Sequence, residues 1–266
     1  MDDADGGDDP WLARFGAVVS HYLRSGDAMS PEAGGATFTE PIDRVFLHDD
    51  AWDDRIEGML WSAWQAVISA ADTPDDAVRS RLVSLLAAIK GQGVLVRSDG
   101  QECTVWDMRA HIDLPVFGAE MRETWNFAPP TVSPGTWANL NAFVAQLTVA
   151  GIDFSLYGIW ALRDALEDDD HDDHDVSSVL PAAVQWLRCA GPVLASLALN
   201  GAARHGAAWL GPLCVQAGLT ELGYTTRRWN FWKSRLEEIA AAGGESAGPA
   251  REGLRYLLAA GQQIPG

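Results

Sequence analysis

Residues 52–89, WDDRIEGMLWSAWQAVISAADTPDDAVRSRLVSLLAAI, contain two apolar stripes with helical spacing. The first stripe recurs every three or four residues and is formed by Trp52, Ile56, Leu60, Trp64, Val67 and Ile68. Thr73 and Pro74 then start a second helix, with acidic residues at its positive end. Two helices joined by so short a turn predict an antiparallel hairpin, the local unit of helical bundles and helical repeats.

The same reasoning, carried outward in both directions, predicts a single all-α domain of nine or ten helices in stacked antiparallel hairpins. The other predicted helices cover residues 10–24, part of 107–128, 134–149, 152–167, 177–199, 206–217, 226–242 and 247–260. We expect at most one minor β-hairpin near 94–106, because Asp99 and Gly100 form a turn pair between β-forming residues.

Acidic and flexible stretches predict the domain organisation. Residues 25–41 are rich in glycine, serine and proline, which predicts a linker. We therefore expect an acidic N-terminal segment over 1–40, with one helix and this linker, and an all-helical domain over 41–266. Seven acidic residues between 167 and 175 predict a solvated acidic loop over 167–176.

The charge balance excludes several classes of function. The 266 residues include 19 Lys and Arg against 37 Asp and Glu, a formal net charge of −18 without any basic stripe. Nucleic-acid binding and attachment to an anionic membrane are therefore disfavoured. Three widely spaced cysteines predict reduced thiols, and we expect a cytoplasmic protein. Nucleotide-binding, α/β-hydrolase and zinc-protease motifs are absent from the sequence.

Twelve tryptophans stand out, several of them beside polar residues. They either pack between helices or form an aromatic-walled pocket for a hydrophobic molecule, whose ligand-binding residues would be Asn139, Asn141, Trp160, Trp186, Trp229 and Trp232. Arg163 and Glu167 are four residues apart on one predicted helix, where they can pair. Asp113 and Glu120 can join them, so these four are the candidate catalytic residues, the alternative being an ion-pair network that fixes helix register.

A second pattern concerns metal binding. Asp168, Asp169 and Asp172 match Asp-Asp-x-x-Asp, while Asn230, Ser234 and Glu238 share one helix face at intervals of four. Oxygen ligands so placed suit Mg²⁺ with a diphosphate between them. The two patterns resemble the metal-binding motifs of class I terpene cyclases. His171 and His174 fit a solvated loop better than a metal site.

Four blocks resemble a fungal domain family of unknown function: WANLNAF at 137–143, ALRDALE at 161–167, PAAVQW at 181–186 and RWNFWKSRL at 228–236. The resemblance spans about residues 52–260. It implies an all-helical cytosolic protein and carries no established activity.

Three hypotheses for function follow. The leading one is binding of a hydrophobic small molecule in a Trp-lined interhelical pocket, as in a cofactor-independent cyclase or isomerase of fungal secondary metabolism. A helical-repeat interaction module without catalysis is the alternative; its acidic surface favours a basic protein partner, and a homodimer stays open. A non-standard Mg²⁺-dependent class I terpene cyclase is the third, and only that hypothesis requires a cofactor. An enclosed aromatic cavity would favour the ligand, whereas an open groove would favour a peptide.

Overall fold

A computed structural model describes residues 9–126, 131–168, 175–201 and 208–264. It is 70% helical, which confirms the predicted all-α class. Eleven α-helices and one two-stranded sheet lie within these ranges, one or two helices more than predicted. Their contacts divide the chain into two compact units, Met1–Phe127 and Ala128–Gly266.

The described residues of the first unit, 9–126, form five α-helices and the sheet. Its elements are α1 (Pro10–Ser25), α2 (Pro31–His48), α3 (Asp53–Ala70), α4 (Asp76–Gly91), β1 (Thr104–Val105), β2 (Met108–Arg109) and α5 (Phe117–Trp125). The two helices of the predicted 52–89 hairpin form, but α3 packs mainly against α1, and α4 packs mainly against α2. The core holds stacked aromatic rings, including those of Phe38 and Trp64, whose centroids are 5.7 Å apart.

The predicted linker over 25–41 is wrong, because most of it is the first half of α2. Ser30 caps this helix by accepting a hydrogen bond from Ala33 N, and Pro31 is its first residue. Gly34 and Gly35 lie in the interior, where helix α2 meets its neighbours. A Cβ on Gly34 would come within 2.5 Å of the Tyr22 ring. The glycines therefore permit close packing here and do not mark a flexible segment.

The minor β-hairpin is confirmed, and its turn lies further along the chain than predicted. Trp106 and Asp107 connect β1 to β2, both with positive φ. The predicted turn at Gly100 also forms, but it joins only the isolated bridge between Val96 and Glu102.

In the part of the second unit that the structure describes, there are six α-helices, and four of them contact the longest one. They are α6 (Pro134–Val149), α7 (Ser155–Leu166), α8 (Val176–Leu199), α9 (Pro212–Gln216), α10 (Thr226–Ala242) and α11 (Ala247–Ala260). Helices α6, α7, α10 and α11 all contact α8, and α6 packs more extensively against α8 than against α7, the next helix in the sequence. The helix predicted over 206–217 is shorter than expected, because only α9 is helical among residues 208–217.

Helix α8 is also long and apolar enough to cross a membrane, a feature that the residue patterns had not indicated. Its most apolar 18-residue window has a mean hydropathy of 1.3, and 56% of that window is buried inside the protein. Core helices of globular proteins meet the same criteria, so α8 is weak evidence for a membrane.

Candidate functional site

Glu167 and Arg228 form an ion pair inside the second unit. Helix α7 ends at Leu166, so Glu167 lies just beyond the helix, while Arg228 lies in the first turn of α10. Both side chains are 0% exposed. Arg228 Nε donates to Glu167 Oε1 at 2.6 Å, and Nη2 donates to Oε2 at 3.0 Å. This two-point arrangement is the strongest way for the two groups to pair.

The carboxylate of Glu167 has two further donors. Trp232 Nε1 donates to Oε1 at 2.6 Å, and the backbone N–H of Gly211 donates to Oε2 at 2.7 Å. A carboxylate accepts about four hydrogen bonds. All of them are therefore used inside the protein, which leaves Glu167 poorly suited to take a proton from a substrate.

Arg228 also uses all of its donors. Its Nη1 donates to the carbonyl oxygens of Ala208 and Gly223, both at 3.1 Å, and Nη2 donates to that of Trp209 at 2.9 Å. Together with the two bonds to Glu167, these satisfy the five N–H groups of a guanidinium. The buried charge is thus compensated completely, as its burial requires.

These contacts close a loop, residues 208–223, which we call the 208–223 loop. Gly223 N donates to Ala208 O at 3.4 Å, so the two ends of the loop meet, as in a compact Ω-loop. Glu167 holds the middle of the loop as well, since Leu213 N donates to its backbone oxygen at 2.9 Å. Gly211 is required there, because a Cβ would come within 2.5 Å of Glu167 Cβ. Three large apolar side chains of the loop are solvent-exposed: Trp209, Val215 and Leu222.

The predicted ligand-binding tryptophans are mostly core residues. Trp186, Trp229 and Trp232 are at most 2% exposed. Trp186 Nε1 donates to Asn141 Oδ1 at 2.7 Å, and Asn141 Nδ2 donates to the Trp137 carbonyl at 2.8 Å. These groups bind one another across α6 and α8, as expected if the tryptophans pack between helices.

Two other predicted ligand residues lie nearer the surface. Asn139 and Trp160 are half-buried. Trp160 lies against Tyr157, with ring centroids 4.7 Å apart. Asn139 is two residues from Asn141 on α6, so the two amides point to different faces of the helix.

The other predicted catalytic residues are Arg163, in the same unit as Glu167, and Asp113 and Glu120, in the first unit. The expected Arg163–Glu167 pair does not form: Arg163 Nη2 instead donates to Asp164 at 2.9 Å. Helix α7 ends before Glu167, which removes the regular spacing on which that pair depended. Arg109 lowers the pKa of Asp113 to about 2, and burial raises the pKa of Glu120, with a smaller contribution from Glu123.

The metal prediction is only partly within the described residues. Asp168 is half-buried, while Asp169, Asp172, His171 and His174 lie outside the described ranges. On α10, Ser234 donates to the Asn230 carbonyl, and Glu238 pairs with Arg235. Among the residues that the structure describes, no group of three His, Cys, Asp or Glu side chains is placed to hold a metal ion.

Sequence reasoning selected Glu167 but missed Arg228 as its partner, although one signal for Arg228 was present. Arg227 and Arg228 occupy the first turn of α10, which has no acidic residue there. The positive end of a helix disfavours cations. A cation in this position is favourable when a carboxylate elsewhere in the protein pairs with it, as Glu167 does with Arg228.

Two cysteines are buried near acidic groups, and this leads to a prediction about their reactivity. Burial and the charge of Asp43 raise the pKa of Cys103 to about 12, and burial and Glu167 raise the pKa of Cys214. Since the thiolate is the reactive form, a thiol with a raised pKa reacts slowly at pH 8. We expect neither thiol to react with Ellman's reagent at pH 8 until the protein is unfolded in guanidinium chloride.

The same shifts set the direction of a pH effect. The pKa of a cysteine thiol in an unfolded chain is about 8.5. The free energy of unfolding should therefore fall as the pH rises above that value, since only the unfolded state then releases the proton.

In the labelling experiment with Ellman's reagent, reaction of Cys214 within minutes in the native protein would contradict its burial beside Glu167.

The fold and the site define an all-helical protein whose second unit contains a buried, fully hydrogen-bonded ion pair. A family model described as "Protein of unknown function (DUF3632)" matches residues 64–236, and the chain belongs to this family. The predicted resemblance to a family of unknown function is thereby confirmed. Among curated proteins and solved structures, no significant match was found.

Proposed function

We propose that this protein is a protein-interaction module that catalyses no reaction, and that the 208–223 loop is one of its contact surfaces. The observation that carries the proposal is the exposure of Trp209, which is 63% solvent-accessible on a loop that the Glu167–Arg228 pair holds in place. The backbone carbonyl of the same residue accepts a hydrogen bond from Arg228. The indole is thus presented to solvent from a fixed backbone.

A fixed, exposed tryptophan is well suited to bind a partner. Tryptophan is among the residues that contribute most to binding energy at protein interfaces. A preorganised loop loses little conformational entropy on binding, so more of the contact energy contributes to affinity. Val215 and Leu222, 59% and 37% exposed, extend the apolar surface of the same loop. The partner should therefore offer an apolar pocket that accepts the indole.

The proposed catalytic role of Glu167 is less well supported. Its four hydrogen bonds come from Arg228, Trp232 and Gly211, and a substrate would have to displace one of them. The small-molecule hypothesis remains a prediction. A ligand-dependent rise in melting temperature during a screen of apolar metabolites, with and without Mg²⁺, would support it.

Quantitative affinity capture tests the interaction proposal. Tagged wild-type protein, Trp209→Ala and the control Leu258→Ala are expressed in the cells of origin, and co-purifying proteins are compared by mass spectrometry. Leu258 is a matched control because it is 47% exposed on α11. We expect a defined set of partners to be lost at least about tenfold with Trp209→Ala and retained with Leu258→Ala. Identical sets for all three proteins would contradict the proposal.

A further inference from the structure

An open groove runs along α2 in the first unit. It consists of two adjoining depressions: one of about 650 Å³ lies between α2 and α4, and one of about 480 Å³ is lined by α2 and by Gln92, the residue that follows α4. Small residues line it, among them Ala36 from α2 and Ala87, Ala88 and Gly91 from α4. Such small side chains let the backbone of a polypeptide segment approach closely.

Carboxylates line the α2 side of this groove. Glu32, Glu40 and Asp43 contribute to it, against one arginine, Arg44. Arg44 is paired with Glu40, which also binds Arg14. Glu32 and Asp43 are therefore the acidic groups that a ligand can engage.

Two buried residues fix the orientation of the Asp43 side chain. His111 Nε2 donates to its Oδ1 at 2.9 Å, and the Thr39 hydroxyl lies 3.3 Å from Oδ2. His111 and Thr39 are 5% and 2% exposed, whereas the side chain of Asp43 is 27% exposed. A carboxylate with these two partners retains acceptor capacity for a cation. Because its rotamer is already fixed, binding a cation costs little additional entropy.

The spacing of the two acids specifies the ligand further. Glu32 and Asp43 are eleven residues apart on α2, which is about three helical turns or 16 Å along one face. A helical segment lying in the groove would match them with two basic residues that are also eleven apart. The residues between these cations would have to be small or apolar on the side that faces Ala87 and Ala88.

We propose that this groove along α2 binds a basic, helical segment of a partner protein, with one Lys or Arg at Asp43 and another at Glu32. This inference rests on the proposed function, because it gives the interaction module a second contact surface. Charge complementarity supports a basic occupant, since the whole chain carries a formal net charge of −18.

Fluorescence anisotropy with a synthetic probe tests the inference on the full-length protein. The probe is a labelled, Ala- and Leu-rich helical 18-mer with Lys at positions 4 and 15. We expect saturable, salt-sensitive binding that weakens at least about tenfold with Asp43→Asn and with Glu32→Gln. Glu245→Gln is the matched control: it removes the same charge from an exposed site in the second unit and should leave the affinity unchanged.

A further variant separates binding from folding. Ala87 is exposed, so Ala87→Trp should fill the groove, abolish binding of the probe and leave the melting temperature unchanged. Equal binding to Asp43→Asn, Glu32→Gln and Glu245→Gln would show only general attraction to an acidic surface and would overturn the inference. Absence of binding at a protein concentration of about 1 mM, the dissociation constant of a weak peptide complex, would overturn it as well.

Two other outcomes separate the proposed role of the groove from the proposed function as an interaction module. If light scattering shows that the wild type is a dimer and Ala87→Trp is a monomer, a second copy occupies the groove and the inference falls. If Trp209→Ala loses partners in the capture experiment while Asp43→Asn and Ala87→Trp retain them all, the proposed function stands and the groove is not a contact surface. Trp209→Ala should bind the probe like the wild type.

Discussion

Replacing Arg228 with leucine is expected to destabilise the protein by about 3–5 kcal/mol, as large an effect as we expect from any single substitution in this chain. The change leaves the Glu167 carboxylate buried without its counter-charge. It also removes the donor for the carbonyl groups of Ala208, Trp209 and Gly223. Unpaired buried groups of this kind cost much more than the original pair contributed.

Urea unfolding followed by tryptophan fluorescence measures this effect, with Arg227→Leu as the control. Arg227 precedes Arg228 on α10 but is exposed, so its replacement should change stability by at most about 0.5 kcal/mol. The double variant Glu167→Leu/Arg228→Leu should recover part of the loss, because it removes the buried charge but not the need of the loop carbonyls for donors. Equal stabilities of Arg228→Leu and Arg227→Leu would contradict the buried ion pair.

Trp64→Ala is expected to have the second-largest effect, a loss of about 3–5 kcal/mol in the first unit. Trp64 is 1% exposed and packs between Phe38 and Phe117, with ring centroids 5.7 and 5.3 Å away. Its Nε1 also donates to the Pro115 carbonyl at 2.8 Å. The substitution would therefore leave a cavity and a carbonyl without its donor.

Trp209→Ala provides the comparison for this second prediction. The chemical change is the same, but Trp209 is 63% exposed, so we expect a loss of at most about 0.5 kcal/mol. Urea midpoints of the two variants give the comparison directly. A loss with Trp64→Ala as small as that with Trp209→Ala would show that the aromatic core of the first unit does not form.

Local signals in the sequence predicted the helices well but not their partners. The capping residues Asp9, Ser133 and Thr225 each accept a backbone hydrogen bond from the first turn of the predicted helix. An apolar stripe shows that a helix face is buried, yet it does not specify the helix that covers it. For this reason the expected packing of α3 against α4 was wrong. The glycines of α2 predicted a linker because close packing and flexibility both favour glycine.

The candidate site was predictable only in part, because its hydrogen-bonded partners are far apart in the sequence. Glu167 could be selected because it stands four residues after Arg163 on one predicted helix, where the two side chains can pair. Its partner Arg228 lies 61 residues further along the chain, and no local spacing rule reaches that far. Asn141 and Trp186 were both selected, but their hydrogen bond joins residues 45 positions apart on different helices. The sequence thus identified buried polar side chains, but it did not show that these side chains form hydrogen bonds with one another.

Together these contacts support the proposal of an interaction module rather than that of a catalytic site. A catalytic carboxylate must have an acceptor site available to substrate, whereas Glu167 uses its acceptor sites for Arg228, Trp232 and Gly211. What the Glu167–Arg228 pair provides is a fixed shape for the 208–223 loop and its exposed apolar side chains. The contact surface that we propose depends on this rigidity.

Hydrogen exchange of the Gly211 and Leu213 amides tests this dependence most directly. Both N–H groups donate to Glu167, the first to its carboxylate and the second to its backbone oxygen. The account predicts that both amides are protected in the wild type and lose protection in Arg228→Leu, while amides in the middle of α8 stay protected. Rapid exchange of both amides in the wild type would show that the ion pair does not fix the loop, and would contradict the account.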